Sequence, residues 1–192
     1  MKTIVKSAIS PMLLALGMVF FSCEDDPMMT LVDLPGATPA VNFTALTNNG
    51  KVLYFEGGQL GAAVKSITIT NLGSGEQIVS FDYRPATGQL NGLSSASRLY
   101  HINENSGQAS PLGQMAFTPA FQGANLSLDF NPTVDRIRLV AETGQNLRLD
   151  PDLGTVVLID RNLKPGTPFV SGAAYTNSFA GTSTTELFVL DK

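Results

Sequence analysis

The stretch FDYRPATGQLNGLSSASRLYHINENSG, Phe81 to Gly107, returns without a gap as LDFNPTVDRIRLVAETGQNLRLDPDLG, Leu128 to Gly154. The spacing is 47 residues throughout. Asp82 falls on Asp129, Tyr83 on Phe130, Pro85 on Pro132, Leu90 on Ile137, Leu93 on Val140, Tyr100 on Leu147, Ile102 on Leu149 and Gly107 on Gly154. Within each copy apolar and polar residues alternate, over Gln89 to Leu93 and Arg98 to Asn103, and again over Arg136 to Val140 and Gln145 to Asp150. A period of two belongs to strands, whose successive side chains point to opposite faces. The runs Asn103 to Gly107 and Asp150 to Gly154 read as turns, in which Asn or Asp bonds its own backbone and Gly takes a positive φ. Each unit therefore reads strand, turn, strand, turn, strand, with Val64 to Thr70 and Val156 to Ile159 as outer strands.

Run backwards, the same spacing gives a weaker copy: Leu46 falls on Leu93, Leu53 on Tyr100, Phe55 on Ile102 and Glu56 on Asn103. Run forwards, Tyr175 and Leu187 to Asp191 repeat the aromatic and strand elements at slightly shorter spacing. An all-β unit of roughly 45 residues with a turn at each end is the size of a propeller blade. Such a unit cannot bury its faces alone and must stack against its neighbours. The expected fold is an all-β, propeller-like array over 41–192, with a stacked solenoid as the alternative. The array stops at Lys192 in the middle of a unit, which predicts an incomplete C-terminal blade with an unpaired edge and an open face.

The first 40 residues are of another kind. Lys2 and Lys6 precede an apolar run from Ala8 to Phe21, interrupted by Ser10 and Pro11. A membrane-spanning helix needs roughly 20 apolar residues, so this shorter run reads as the core of a signal peptide over 1–22. The sequence Phe20-Phe21-Ser22-Cys23 resembles the lipobox of bacterial lipoproteins, and the resemblance makes Cys23 the lipidated N-terminus of the mature chain. Phe20 and Phe21 depart from its usual Leu and small residue. Cys23 is the single cysteine, so it has no disulfide partner and builds no thiolate metal site. Glu24, Asp25 and Asp26 follow it, resembling the surface-export signal of Bacteroidetes lipoproteins. Pro27, Pro35-Gly36 and Pro39 punctuate what reads as a flexible tether over 23–40. Acyl chains hold through burial of methylenes at about 0.8 kcal/mol each. The expected location is the cell envelope, as an outer-membrane lipoprotein facing the periplasm or the surface, with the membrane as its first partner.

The long repeated motifs, together with Lys164-Pro165-Gly166-Thr167-Pro168 and the run AAYTNSFAGT from Ala173 to Thr182, resemble the family named domain of unknown function 4394. The resemblance covers roughly Asn42 to Asp191. It implies a propeller-like secreted domain, no established activity, and a family domain that extends past Lys192. Asn91 stands where the family usually has tyrosine, and reads as a surface change.

Charge excludes some partners. The net charge is −4, and loss of Lys2 and Lys6 with the leader leaves 10 basic against 16 acidic side chains, a balance of −6. An acidic surface repels phosphate, so nucleic acid is not an expected partner. Catalytic groups are sparse. His101 is the only histidine; it alternates in direction with Tyr100 and Ile102 and matches Arg148, so it reads as an exposed strand position. One histidine excludes a copper–zinc site of the superoxide dismutase kind, and no serine lies in a Gly-x-Ser-x-Gly elbow. Asp82 and Asp129 recur just ahead of an aromatic and a proline. They read as acceptors of backbone N–H groups at the turns leading to Pro85 and Pro132, or else as the acid and base of a glycosidase. Asp150-Pro151-Asp152-Leu153-Gly154 resembles the start of a calcium loop but lacks the downstream bidentate Glu, and reads as a simple turn. The Asn-x-Ser/Thr sites at Asn42 and Asn125 carry little meaning in a bacterial lipoprotein. The expectation is a binding or interaction module for a glycan, peptide or protein, without cofactor or metal and not an enzyme. The alternatives are an acid–base glycosidase or lyase on Asp82 and Asp129, and a purely structural envelope protein.

Overall fold

The computed structural model describes residues 41–58, 61–164, 166 and 168–192. The leader, Cys23 and the tether lie outside the described residues. Among those described there is no helix; the chain forms thirteen strands in four antiparallel sheets. β1 (Phe43–Leu46), β2 (Lys51–Phe55) and β3 (Lys65–Thr68) make a three-stranded sheet. β4 (Ile78–Arg84), β5 (Gln89–Ser94), β6 (Leu99–Ile102) and β7 (Ala109–Leu112) make the second sheet, in chain order. β8 (Leu126–Asn131), β9 (Arg136–Ala141), β10 (Asn146–Asp150) and β11 (Thr155–Ile159) make the third in the same order. β12 (Val170–Tyr175) pairs with β13 (Leu187–Asp191). The outer strand expected at Val156 to Ile159 is β11; its counterpart in the second sheet, β7, lies where no strand is expected from the sequence. Strand β7 carries Pro111. An outermost strand tolerates proline because one side of its backbone has no ladder to satisfy.

Equivalent positions behave alike. Leu90 opposes Ile102 and Asn91 opposes His101 in the second sheet. Ile137 opposes Leu149 and Arg138 opposes Arg148 in the third. The second sheet is buried on both faces. Its Leu90, Tyr100 and Ile102 join Val52 and Ile69 in one core layer. Its Leu93 and Leu99 join Leu128, Phe130, Ile137, Leu139, Leu147 and Leu149 in the next. Sheet thus packs on sheet through two separate layers, and each layer removes apolar surface from water at about 25 cal/mol per Å².

Two glycines make this close stacking possible. Gly107 and Gly154, 47 residues apart, end equivalent turns with φ of 76° and 64°. In both turns the side chain at the start caps the backbone. Asn103 Oδ1 accepts from the N–H of Asn105 and Ser106, and Asp150 Oδ1 from those of Asp152 and Leu153, all within 2.9–3.0 Å. The Asp150 loop is the expected turn. A Cβ on Gly107 would stand 2.0 Å from the Thr68 carbonyl oxygen, and one on Gly154 2.2 Å from that of Leu112. At both places the outermost strand of the preceding sheet crosses the turn.

Candidate functional site

The first strands of successive sheets, β4, β8 and β12, lie side by side. Their backbones do not form a ladder with one another, so side chains supply the acceptors that buried N–H groups require. Ser80 Oγ accepts from the N–H of Leu128 at 3.2 Å, and Asp82 Oδ2 from that of Phe130 at 2.9 Å. One repeat later Ser127 Oγ accepts from the N–H of Ala173 at 2.9 Å, and Asp129 Oδ2 from that of Tyr175 at 2.7 Å. A Ser-x-Asp pair on each first strand therefore engages the first strand of the next sheet. These carboxylates are expected to accept N–H groups at the turns before Pro85 and Pro132; they accept across the sheets instead, apart from Asp82 Oδ1, which takes the Tyr83 N–H at 2.7 Å. Ser80 and Ser127 went unremarked, although they share the 47-residue spacing one position upstream of the aligned stretch.

The same arrangement brings Asp82 and Asp129 within hydrogen-bonding reach of each other. Asp129 is buried and Asp82 half-buried. Burial, and then the neighbouring Asp82, push the Asp129 carboxyl up to about 8. Burial also raises Asp82, against hydrogen bonds from Asp129 and the N–H groups of Phe130 and Tyr83. Two carboxyls so close share a proton, because both cannot ionise cheaply in a partly dry site. Direct contact is tighter than the roughly 5–5.5 Å of a retaining glycosidase pair or the 6.5–9.5 Å of an inverting one.

A second link ties these sheets at their rim. Arg84, at the end of β4, donates to both oxygens of Asp135 and to Asp152 at 2.6 Å, in the β8–β9 and β10–β11 turns. The Arg84 side chain is 12% exposed and that of Asp152 68%. Water screens the Asp152 side, so Arg84→Ala is expected to lower stability by only about 1–2 kcal/mol. A chemical denaturation curve with unchanged slope and a lower midpoint would show it; no shift would mean the clamp does not stabilise.

Between stacked sheets one repeated pair of positions faces the next sheet. It is Thr44 and Tyr54 in the first, Asn91 and His101 in the second, and Arg138 and Arg148 in the third. Two expectations fail here. His101 is half-buried, with Nδ1 3.3 Å from the Leu90 carbonyl oxygen, and Asn91 is buried. Period-two reasoning assumed one wet face, whereas stacking dries both. In the third gap Arg138 donates to Asn146 Oδ1 at 2.7 Å, to the Tyr175 hydroxyl at 3.2 Å and to Asp160. Arg148 donates to Asp160 at 3.1 Å. These side chains fill the gap, leaving about 10 Å³ beside Arg136, Arg138, Arg148 and Tyr175.

The first gap is open. A groove of about 360 Å³ is walled by Phe43, Thr44, Tyr54, Phe55, Tyr83 and Glu104. Phe43 and Phe55 stack at 4.7 Å with rings 10° apart. Tyr83 donates to Glu104 Oε1 at 2.6 Å; burial, and then this carboxylate, push its hydroxyl up to about 12. The Tyr54 hydroxyl is buried and has no hydrogen-bond partner among the described residues. Its proton is held more tightly than usual, by burial first and by the Glu104 charge second. The sequence carries no local motif for this groove, since its walls come from three strands and a turn.

Stacked four-stranded sheets with their first strands gathered together define an all-β, propeller-like repeat protein. The chain belongs to the family described as domain of unknown function (DUF4394), which matches residues 51–192. It is also similar in fold to the crystal structure of the glutaminyl cyclase of Myxococcus xanthus, with 15% identity, 78% of this chain and 70% of that chain covered, and a TM-score of 0.51. At that identity the likeness concerns the fold alone. No curated protein matches the sequence.

Proposed function

We propose that the protein is a binding module of the cell envelope, held to a membrane by lipid on Cys23. The observation that carries the binding reading is the open groove of about 360 Å³ between the first and second sheets, with four aromatic rings and two carboxylates along its walls. That volume lies in the range of small-ligand pockets, and aromatic surface with a few fixed polar groups is their usual lining. The hub carboxylates, by contrast, each give an oxygen to the neighbouring sheet's backbone, which supports a structural role for Asp82 and Asp129. Glycan and peptide arrays probed with the full mature protein test the reading. Retention of a defined ligand is expected, lost in Phe43→Ala; Phe43 is 44% exposed and lies outside the buried core, so its ring can be removed without opening the core. Binding indifferent to that change, or none on either array, would count against the groove.

The anchor rests on the sequence of the leader. Growth with an alkyne fatty acid should label the wild-type protein and leave Cys23→Ala unlabelled. Absence of label on the wild type, or label surviving the substitution, would remove the lipoprotein reading.

A further inference from the structure

The internal repeat supplies a comparison for the groove. Twice 47 residues carries Asn42, Phe43, Thr44 and Tyr54 onto Arg136, Ile137, Arg138 and Arg148, all of which line the filled gap of the third sheet. The tyrosine of the following first strand is also shared, Tyr83 in one gap and Tyr175 in the other. In the third gap the chain's own guanidinium, from Arg138, lies against that tyrosine's hydroxyl. In the first gap the matching residue is Thr44, whose short, uncharged side chain lies beside the Tyr83 hydroxyl without filling the gap, and a groove of about 360 Å³ remains.

The charges left behind fit the missing group. Glu56 and Glu104 line the groove, and neither forms a salt bridge among the described residues. One ammonium already comes to its edge: Lys65 Nζ stands 4.8 Å from the centre of the Tyr54 ring and donates to the Glu104 carbonyl oxygen at 2.7 Å. Two carboxylates against one ammonium leave the groove negative, with ring faces that attract a further cation. The unpartnered Tyr54 hydroxyl adds an acceptor for an N–H donor.

Resting on the reading of the chain as a binding module, we propose that this groove binds a basic side chain of an extended peptide, its guanidinium or ammonium taking the place that Arg138 fills in the third gap. The Glu104 carboxylate, the Tyr83 hydroxyl and the ring of Tyr54 receive the cation, and the Phe43–Phe55 stack supports the aliphatic stem.

Calorimetric titration of the full chain with acetylated, amidated Gly-Gly-Arg-Gly-Gly, and with the same peptide carrying citrulline, tests the assignment. Citrulline keeps the shape and loses the charge. The arginine peptide should bind at least about 10-fold more tightly than the citrulline peptide, more weakly at high salt. Glu104→Gln should lose about 10-fold for the arginine peptide and little for citrulline. Thr44→Arg should refill the groove as in the third gap and abolish binding while leaving the melting temperature near wild type. Equal binding of the two peptides, or binding unaffected by Thr44→Arg, would overturn the proposal. A neutral oligosaccharide that binds the wild type and not Thr44→Arg would overturn the cationic class while leaving the binding module intact; no binding of peptide or oligosaccharide would overturn both.

Discussion

Gly154→Ala is expected to lower the folding stability by about 2–5 kcal/mol, a large share of the roughly 5–15 kcal/mol that holds a domain together. Two costs add. A side chain at φ of 64° meets the left-handed penalty of about 1–2 kcal/mol. Its Cβ would also stand 2.2 Å from the Leu112 carbonyl oxygen, a backbone atom fixed in an edge strand, and relief by backbone shift costs about 1–3 kcal/mol. Gly107→Ala, 2.0 Å from the Thr68 carbonyl oxygen, should behave alike. Gly88 separates the two costs. Its φ is 71° and a Cβ there meets nothing within 4 Å; its repeat partner Asp135 already carries a side chain at φ of 50°. Gly88→Asn should therefore cost well under 1 kcal/mol, since Asn tolerates this region. If Gly88→Asn and Gly154→Ala proved equally damaging in denaturant titrations, the close crossing of sheets would not be the cause.

The repeat made most of this fold legible before any coordinates. The matched alternation from Leu90 to Ile102 and from Ile137 to Leu149 specified strands, and the Gly107 and Gly154 matches marked the turns. A spacing that recurs says little about what stands beside each unit, however. Alternation in one strand defines two faces and not which neighbour dries each. His101 and Asn91 therefore read as surface when the adjoining sheet covers them. Strand β7 escaped notice because Ala109-Ser110-Pro111-Leu112 is short and holds a proline, which only an edge position excuses. The groove was the least visible feature. It arises from a difference between repeats, Thr44 where the third sheet has Arg138, and a difference becomes meaningful only once the similarities have been laid over one another in space. The recurrence of Asp82 and Asp129 was visible, but their meeting was not, because residues 47 apart touch only if the strands bearing them gather at one hub.

That meeting makes the stability of the fold depend on pH. Asp129 holds its proton in the folded state up to about 8, whereas an unfolded Asp releases it near 3.9. Between these values the native state binds more protons than the unfolded state, so stability must fall as pH rises. The contribution is complete below about pH 4 and lost as pH climbs through about 8. Because one proton serves two carboxyls that are themselves held by backbone N–H groups, the fall between pH 5 and pH 9 is expected to be about 1–3 kcal/mol rather than the full linkage of an isolated shift. Asp129→Asn should abolish most of that slope and keep the fold. Its amide oxygen still accepts from Tyr175, and its amide N–H still donates to Asp82 as the shared proton did. Asp129→Ala removes both, leaving the Tyr175 N–H without its acceptor and Asp82 without its partner, at about 2–3 kcal/mol. Stability curves of the three proteins across this range decide the matter. A slope that persists in Asp129→Asn would place the titrating group elsewhere. An Asp129→Ala protein as stable as the wild type would mean that the carboxyl pair does not hold the first strands together, and would return Asp82 and Asp129 to consideration as an acid and a base.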